Sequence, residues 1–183
     1  GLPPYLRNFS EFQRFMRTLQ RAKTIQSIRE VWWDIRPHPG FGTVEIRVCD
    51  AVPTLNEMVN LSALCQCLVV GLSNYYDNGT QLPLLDSWII KENKWRATRY
   101  GIDAEIIVDE KGTLQPIKEN IFNTIDLILP LSEELDCKQE ILSIKDKILS
   151  DSIPYKDQIS IYNESHSFKE LISRNIKYLS DGI

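Results

Sequence analysis

Alternation of apolar and polar residues is strictest between Val31 and Asp50, VWWDIRPHPGFGTVEIRVCD, where two runs read as β-strands. Side chains two positions apart along a strand share a face. In the first run Trp32, Asp34 and Arg36 point one way, and Val31, Trp33 and Ile35 the other. In the second, Thr43, Glu45, Arg47 and Cys49 oppose Val44, Ile46 and Val48. Each strand is therefore expected to have a polar face and a core face. The connection PHPGFG, rich in residues that stop a strand and turn the chain, predicts an antiparallel hairpin with a six-residue loop. That pairing brings Asp34, Arg36, Glu45 and Arg47 onto one sheet face.

Helical spacing governs most of the remainder. A first helix is predicted from the capping box Ser10-x-x-Gln13, with Phe12, Phe15, Met16 and Leu19 forming a stripe that packs on the sheet. A second starts at Thr54-x-x-Glu57 and runs to about Tyr75; it is apolar on nearly all sides from Leu61 to Leu72, the mark of a buried helix. Asn78-Gly79 closes it, and Pro83 bars its continuation. A third spans Ser87 to Tyr100 with Gly101 as its stop, and carries Lys91, Lys94, Arg96 and Arg99. Ala104 to Val108 and a turn at Asp109–Gly112 predict a second hairpin. Helices are then expected near Pro116–Leu129 and Ser132–Leu149, and a last one from Ser167-x-x-Glu170 to about Leu179. No internal repeat, low-complexity tract or flexible linker interrupts this order, so one domain is expected.

Composition narrows the functional classes. The 183 residues are 43% hydrophobic and 25% charged, as in ordinary globular chains. A net charge of -4 argues against a nucleic-acid groove, whose footprint is a basic surface. Cys49, Cys65, Cys67 and Cys137 lack the spacing of a disulfide framework or zinc knuckle, and His38 and His166 are far apart, so buried or idle thiols are expected. No signal segment is expected from the opening residues and no apolar run is expected to approach the roughly 18 residues that span a bilayer, which predicts a soluble, cytoplasmic protein with no membrane partner.

The mixed carboxylates and arginines of the first hairpin admit two readings. Antiparallel sheets often face water on one side, and cross-strand charge pairs stabilise them by a few tenths of a kcal/mol to about 1 kcal/mol. Alternatively, carboxylate oxygens suit Mg2+, while a guanidinium grips a carboxylate or phosphate with two hydrogen bonds. That combination suits ATP-dependent chemistry on an acid. On the third helix Glu92 and Arg96 can pair at i and i+4 on a solvated face, worth about 0.3 to 0.5 kcal/mol.

Three separated motifs carry a resemblance. TVEIRVCDAVPTLNEMVNLSALCQCLV, the preceding WDIRPHPGFG and the later KENKWRATRYGIDAEII resemble the second half of bacterial carboxylate-amine ligases related to glutamate-cysteine ligase, a branch of the glutamine synthetase-like superfamily. The opening GLPPYLRNFSEFQRFM is similar to that family's mid-chain sequence. The likeness covers Gly1 to about Val108 and fades thereafter; the glycine- and arginine-rich ending expected of the family is absent. So is the Glu-x-Glu strand that the family's first half supplies. The resemblance therefore implies that residues 1–183 are the C-terminal part of a single catalytic domain whose N-terminal half is its partner.

The fold so implied is α+β: an antiparallel sheet with one polar face, backed by helices. In the complete enzyme the resemblance implies ATP and Mg2+, glutamate and an amine such as cysteine as substrates, and an amide formed through an acyl phosphate; it leaves a homo-oligomer open. It makes Glu45 of the V-E-x-R strand a metal ligand and Arg47 a grip on the glutamate carboxylate or the phosphoryl group. Arg36 of D-I-R-P is expected to meet phosphate, and Asp34 to orient an arginine or metal-bound water. Asn93, Arg96 and Arg99, in N-x-W-x-A-x-R-x-G, are expected to orient substrate or phosphate. His38 either touches substrate or is an exposed loop imidazole. The rival expectation is a non-catalytic fragment, an interaction module or a metabolite-binding module of the same fold.

Overall fold

A computed structural model describes every residue except Pro83 and Ile183. The expected role of Pro83 thus lies outside the described residues. The fold is α+β, with seven α-helices and two separate two-stranded antiparallel sheets among the described residues. The chain forms two compact units, Gly1–Ala51 and Val52–Ile183.

The first unit holds helix α1 (Phe9–Arg21), a 3-10 turn (Ile28–Glu30) and strands β1 (Ile35–His38) and β2 (Thr43–Ile46). Helix α1 begins one residue before the expected Ser10, because Asn8 is the cap: its side chain accepts from the Glu11 backbone N–H. The predicted stripe is its inner face, where Phe12 and Met16 are buried with Ile25 and Val31, and Phe15, Leu19 and Trp33 pack around them. The sequence reading missed the 3-10 turn, although Ser27-x-x-Glu30 is a capping box.

The expected hairpin forms, in the register Ile35↔Ile46, Arg36↔Glu45, Pro37↔Val44 and His38↔Thr43. Its strands are shorter than Val31–Arg36 and Thr43–Cys49, and its loop is Pro39–Gly42, with Gly42 at φ +64. The expected burial of its two faces needs a correction. Ile35, Val44 and Val48, assigned to the core face, are 48%, 57% and 55% exposed, whereas Arg36 is only 4% exposed. Val31 and Trp33 of the expected core face do pack in the first core, so the correction is local: along the paired strands Arg36 is covered while Ile35 and Val44 are not, and burial of Arg36 is tolerable because its guanidinium is fully partnered.

The second unit has a core of helices. Helix α2 (Leu55–Asp77), capped by Thr54 as expected, meets α4 (Ile117–Glu134) and α5 (Lys138–Leu149) through Ala63, Cys67, Ile125, Ile128, Cys137 and Ile141. Two polar links cross the same seam: Glu57 accepts from Lys147, and Asn60 Nδ2 donates to Ser143 Oγ at 3.1 Å. Helix α2 corrects two expectations. It is long and apolar enough, by length and composition, to cross a membrane, where no such run was expected. Nor is it buried all round: Glu57, Asn60, Ala63 and Cys67 are its buried residues, and Val59, Val69 and Leu72 are exposed.

Helix α3 (Ser87–Tyr100) ends at Gly101 as predicted, with φ +57 there. Strands β3 (Glu105–Ile107) and β4 (Leu114–Pro116) form the second hairpin, and Asp109 ties its turn by accepting from the backbone N–H groups of Lys111 and Thr113. The expected break between helices at Pro130 is absent: α4 runs through it, and the chain turns at Asp136, φ 54, before α5. Helix α6 (Pro154–Ser165) was missed, although proline at a first helical position is a start signal. Helix α7 (Phe168–Asp181) starts at the Ser167 cap as expected.

Candidate active site

The β1–β2 register decides how the predicted site residues meet. Arg36 and Glu45 are direct cross-strand partners, and the Arg47 N–H donates to the Asp34 carbonyl at 2.6 Å, one step further along the ladder. Asp34, Arg36, Glu45 and Arg47 therefore share one face, as the alternation predicted.

Their environments differ. Arg36 Nε donates to Glu45 Oε2 at 2.8 Å, and its Nη2 donates to the same oxygen. Its Nη1 donates to the carbonyls of Ile28 at 2.9 Å, Arg29 at 3.1 Å and Val31 at 3.1 Å. One guanidinium thus fastens β2 and the end of the 3-10 turn to β1, with every nitrogen engaged. Glu45 is half-exposed; its other oxygen, Oε1, lies 3.9 Å from Arg47 Nη1. The Arg47 guanidinium sits 4.6 Å from the centre of the exposed Trp32 ring, a cation–π arrangement that orients it without using its hydrogen-bond donors. Asp34 lies 3.5 Å from the amino group of Gly1.

His38 ends β1 on the same face, opposite Thr43. Its ring stacks on Phe41 at 4.4 Å, and its Nδ1 is buried without a hydrogen-bond partner. It is not the exposed loop imidazole of one sequence reading.

Asn93, Arg96 and Arg99 lie in the second unit, on α3. Asn93 mimics a strand neighbour: Nδ2 donates to the Ile107 carbonyl and Oδ1 accepts from the Ile107 N–H, both at 2.8 Å. Arg96 Nε donates to Glu92 Oε1 at 3.0 Å, the expected i, i+4 pair, and its Nη1 reaches the Glu105 carbonyl at 3.5 Å. These two side chains hold β3 against α3. Arg99 is exposed, its guanidinium 5.6 Å from the centre of the Tyr100 ring. Among the described residues, no three His, Cys, Asp or Glu side chains gather as a ready-made metal site, and none of the four cysteines forms a disulfide.

The chain is thus α+β, with one ribbon face that carries opposed acids and arginines. Comparison with known proteins identifies the lineage. Residues 1–167 match the model of Glutamate-cysteine ligase family 2 (GCS2), and the chain belongs to that family. It is 42% identical over 182 residues to "Putative glutamate--cysteine ligase 2" of Thermobifida fusca, covering 100% of this chain and 45% of that protein. It is 46% identical over 144 residues to "Putative glutamate--cysteine ligase 2-1" of Frankia alni, covering 79% of this chain and 38% of the relative. A Frankia casuarinae protein of the latter name is 49% identical over 141 residues, or 77% of this chain and 37% of its own length. The chain thus spans less than half the length of these relatives. The likeness also reaches past Val108, where the motif reading saw it fade.

Proposed function

We propose that this chain is part of an ATP-dependent carboxylate-amine ligase of the γ-glutamyl type, acting on glutamate and cysteine or another amine in the cytoplasm. Family membership supports this reaction class. The observation that carries the site assignment is the register of the first hairpin, which sets Glu45 and Arg47 on one face beside the buried Arg36. In the ligase reaction ATP phosphorylates the glutamate side-chain carboxylate to an acyl phosphate, and an amine then attacks the acyl carbon and displaces phosphate to leave the amide.

Such a reaction asks the protein for charge neutralisation and alignment rather than covalent chemistry. Bound Mg2+ would offset phosphate charge; it takes one or two protein carboxylates and fills its other positions with phosphate oxygens and water. Glu45 fits as one such ligand, since Arg36 holds one oxygen and leaves the other on the half-exposed side. Arg47, stacked on Trp32 with its donors available, grips the substrate carboxylate or a phosphoryl oxygen. Arg36 positions Glu45, and the Asp34 carbonyl fixes the Arg47 backbone across the ladder, with the Asp34 carboxylate left to orient an arginine or metal-bound water. On α3, Arg99 is the side chain that offers its charge to phosphate, while Asn93 and Arg96 fix the strand beside it.

The remainder of a family-length catalytic domain is the partner this reading requires. The bare apolar side of the hairpin, Ile35, Val44 and Val48, supports that requirement, because a two-stranded ribbon with an uncovered apolar face is marginal alone. The test is a chimaera in which this chain replaces the matching 182-residue segment of the Thermobifida fusca relative. Phosphate release from ATP that depends on Mg2+, glutamate and an amine is expected from the chimaera and not from the 183-residue chain alone. A folded chimaera that binds these substrates without turnover would favour the metabolite-binding reading.

A further inference from the structure

Two thiols that the proposed site does not use lie in contact in the core of the second unit. Cys67 Sγ on α2 and Cys137 Sγ, at the residue before α5, are 3.6 Å apart although 70 positions separate them in sequence. Both are buried, Cys67 completely and Cys137 less so, among Ala63, Ile125, Ile128 and Ile141. Cys65 is only two residues from Cys67 and so projects about 200° away around the helix. Cys49 is exposed in the first unit.

We propose that Cys67 and Cys137 are an oxidation site, at which a hydroperoxide joins the two sulfurs in a disulfide that ties α2 to the start of α5. Sulfurs at 3.6 Å have only about 1.6 Å to close to reach bonding distance. Cys137, the less buried, attacks the oxygen–oxygen bond of hydrogen peroxide; it becomes a sulfenic acid, and the departing oxygen leaves with the thiol proton as water. The Cys67 sulfur then attacks Cys137, the sulfur–sulfur bond forms, and the sulfenic hydroxyl leaves with the Cys67 proton as a second water. Two thiols lose two electrons, and one peroxide is reduced to two waters.

Cys67 rests as the thiol: burial, with the Cys137 thiol as neighbour, pushes it up to about 11. Reaction is therefore slow compared with an exposed low-pKa thiol, and it proceeds through opening of the α4–α5 corner at Asp136 and Cys137. Once made, the bond closes a loop of about 70 residues and stabilises the chain by restricting its unfolded state.

The experiment exposes the 183-residue chain to hydrogen peroxide, blocks remaining thiols, and maps the peptides by mass spectrometry. The expected product is an intramolecular Cys67–Cys137 peptide pair, two hydrogens lighter than its parts and reversed by dithiothreitol, with a thermal midpoint raised by about 5 °C or more. Exposed Cys49 reports that oxidant was sufficient. Cys137→Ser and Cys67→Ala are each expected to abolish the pair; mapping of the unmodified chain stands even if a variant fails to fold. Oxidised Cys49 beside intact Cys67 and Cys137 thiols would overturn the proposal. So would a bond from either residue to Cys49 or Cys65, higher sulfur oxides on Cys137 without a bond, or a midpoint that falls on cross-linking.

Discussion

Arg36 and Glu45 face each other across the first hairpin, and the guanidinium that holds this carboxylate is buried while Ile35 and Val44 on the opposite face are exposed. The same guanidinium caps three carbonyls at residues 28, 29 and 31, so it does the work of several backbone hydrogen bonds at once. Replacing it takes a donor from each of those carbonyls and from one carboxylate oxygen, although the Ile28 carbonyl keeps the Val31 N–H at 3.0 Å. Arg36→Met is expected to destabilise the first unit by about 3 kcal/mol, and Arg36→Lys by nearly as much, because an ammonium cannot reach both sets of acceptors. Urea denaturation followed by Trp32 and Trp33 fluorescence measures this; a change under about 1 kcal/mol would reduce the pair to surface decoration.

Gly101 illustrates a backbone constraint in the second unit. It ends α3 at φ +57, and a Cβ there would lie 2.4 Å from the Tyr155 hydroxyl oxygen and 2.5 Å from the ring carbon that bears it. That hydroxyl accepts a hydrogen bond from the Ile102 N–H at 3.2 Å. Gly101→Ala thus combines left-handed strain with a clash and is expected to cost about 2 to 4 kcal/mol. A double-mutant cycle with Tyr155→Ala should return markedly less than the sum of the single effects, whereas additivity would mean that the tyrosine does not press on this turn.

Local rules carried most of the fold. Caps at Thr54 and Ser167 and the Asp109–Gly112 turn are decided by side chains within four residues of the backbone groups they satisfy, and the Gly101 stop by a backbone freed of a side chain; all were legible in the sequence. Pro130 was not, because a proline near a helix end breaks it or is carried through according to packing around Ile128 and Ser132, which are buried. That the hairpin covers Arg36 while Ile35 and Val44 stay exposed was also illegible. Alternation shows which residues share a face, but the covered face depends on where the carbonyls of the 3-10 turn stand, and those meet Arg36 only in the folded unit. At the candidate site the sharing of a face by Asp34, Arg36, Glu45 and Arg47 was legible; the division of labour between a fully engaged Arg36 and a more open Arg47 was not.

Acid sensitivity in the first unit should have a local component at Glu11. Arg7 donates to its carboxylate through the side chain, with Nε at 3.0 Å, and through its own backbone N–H at 2.9 Å. The side-chain bond, then the backbone bond, pull the Glu11 carboxyl down to about 2. A carboxyl depressed in the folded state stabilises the fold above its ordinary range, and that contribution is lost as pH falls from about 5 toward 2. A carboxyl-detected NMR titration is expected to show the depressed midpoint, and Arg7→Gln to move it toward the ordinary glutamate range. Because the pair is exposed, added salt should shrink the difference. A Glu11 that titrates normally in the unmodified chain would remove this contribution.

The sharpest test of the ligase reading contrasts Arg47 with the lysines of α3. A guanidinium that grips two oxygens is not replaceable by a point charge, so in the active chimaera Arg47→Lys should be nearly as damaging as Arg47→Ala. Each is expected to lower the rate by roughly 100- to 1000-fold, the usual effect of removing one preorganised electrostatic contact. Glu45→Gln should fall in the same range, with an altered Mg2+ dependence, since it removes a charge while keeping the shape. Lys91→Ala, an exposed position on α3, should change the rate less than about fivefold, corresponding to under about 1 kcal/mol. Structure alone predicts one complication: Arg47 rests on Trp32, so loss of the indole should mislay the guanidinium without removing it. Trp32→Ala is accordingly expected to raise the KM for glutamate more than it lowers kcat. Equal and mild effects at Arg47, Glu45 and Lys91 would leave the hairpin a solvated charge ladder, and the family's fold would here persist without its chemistry.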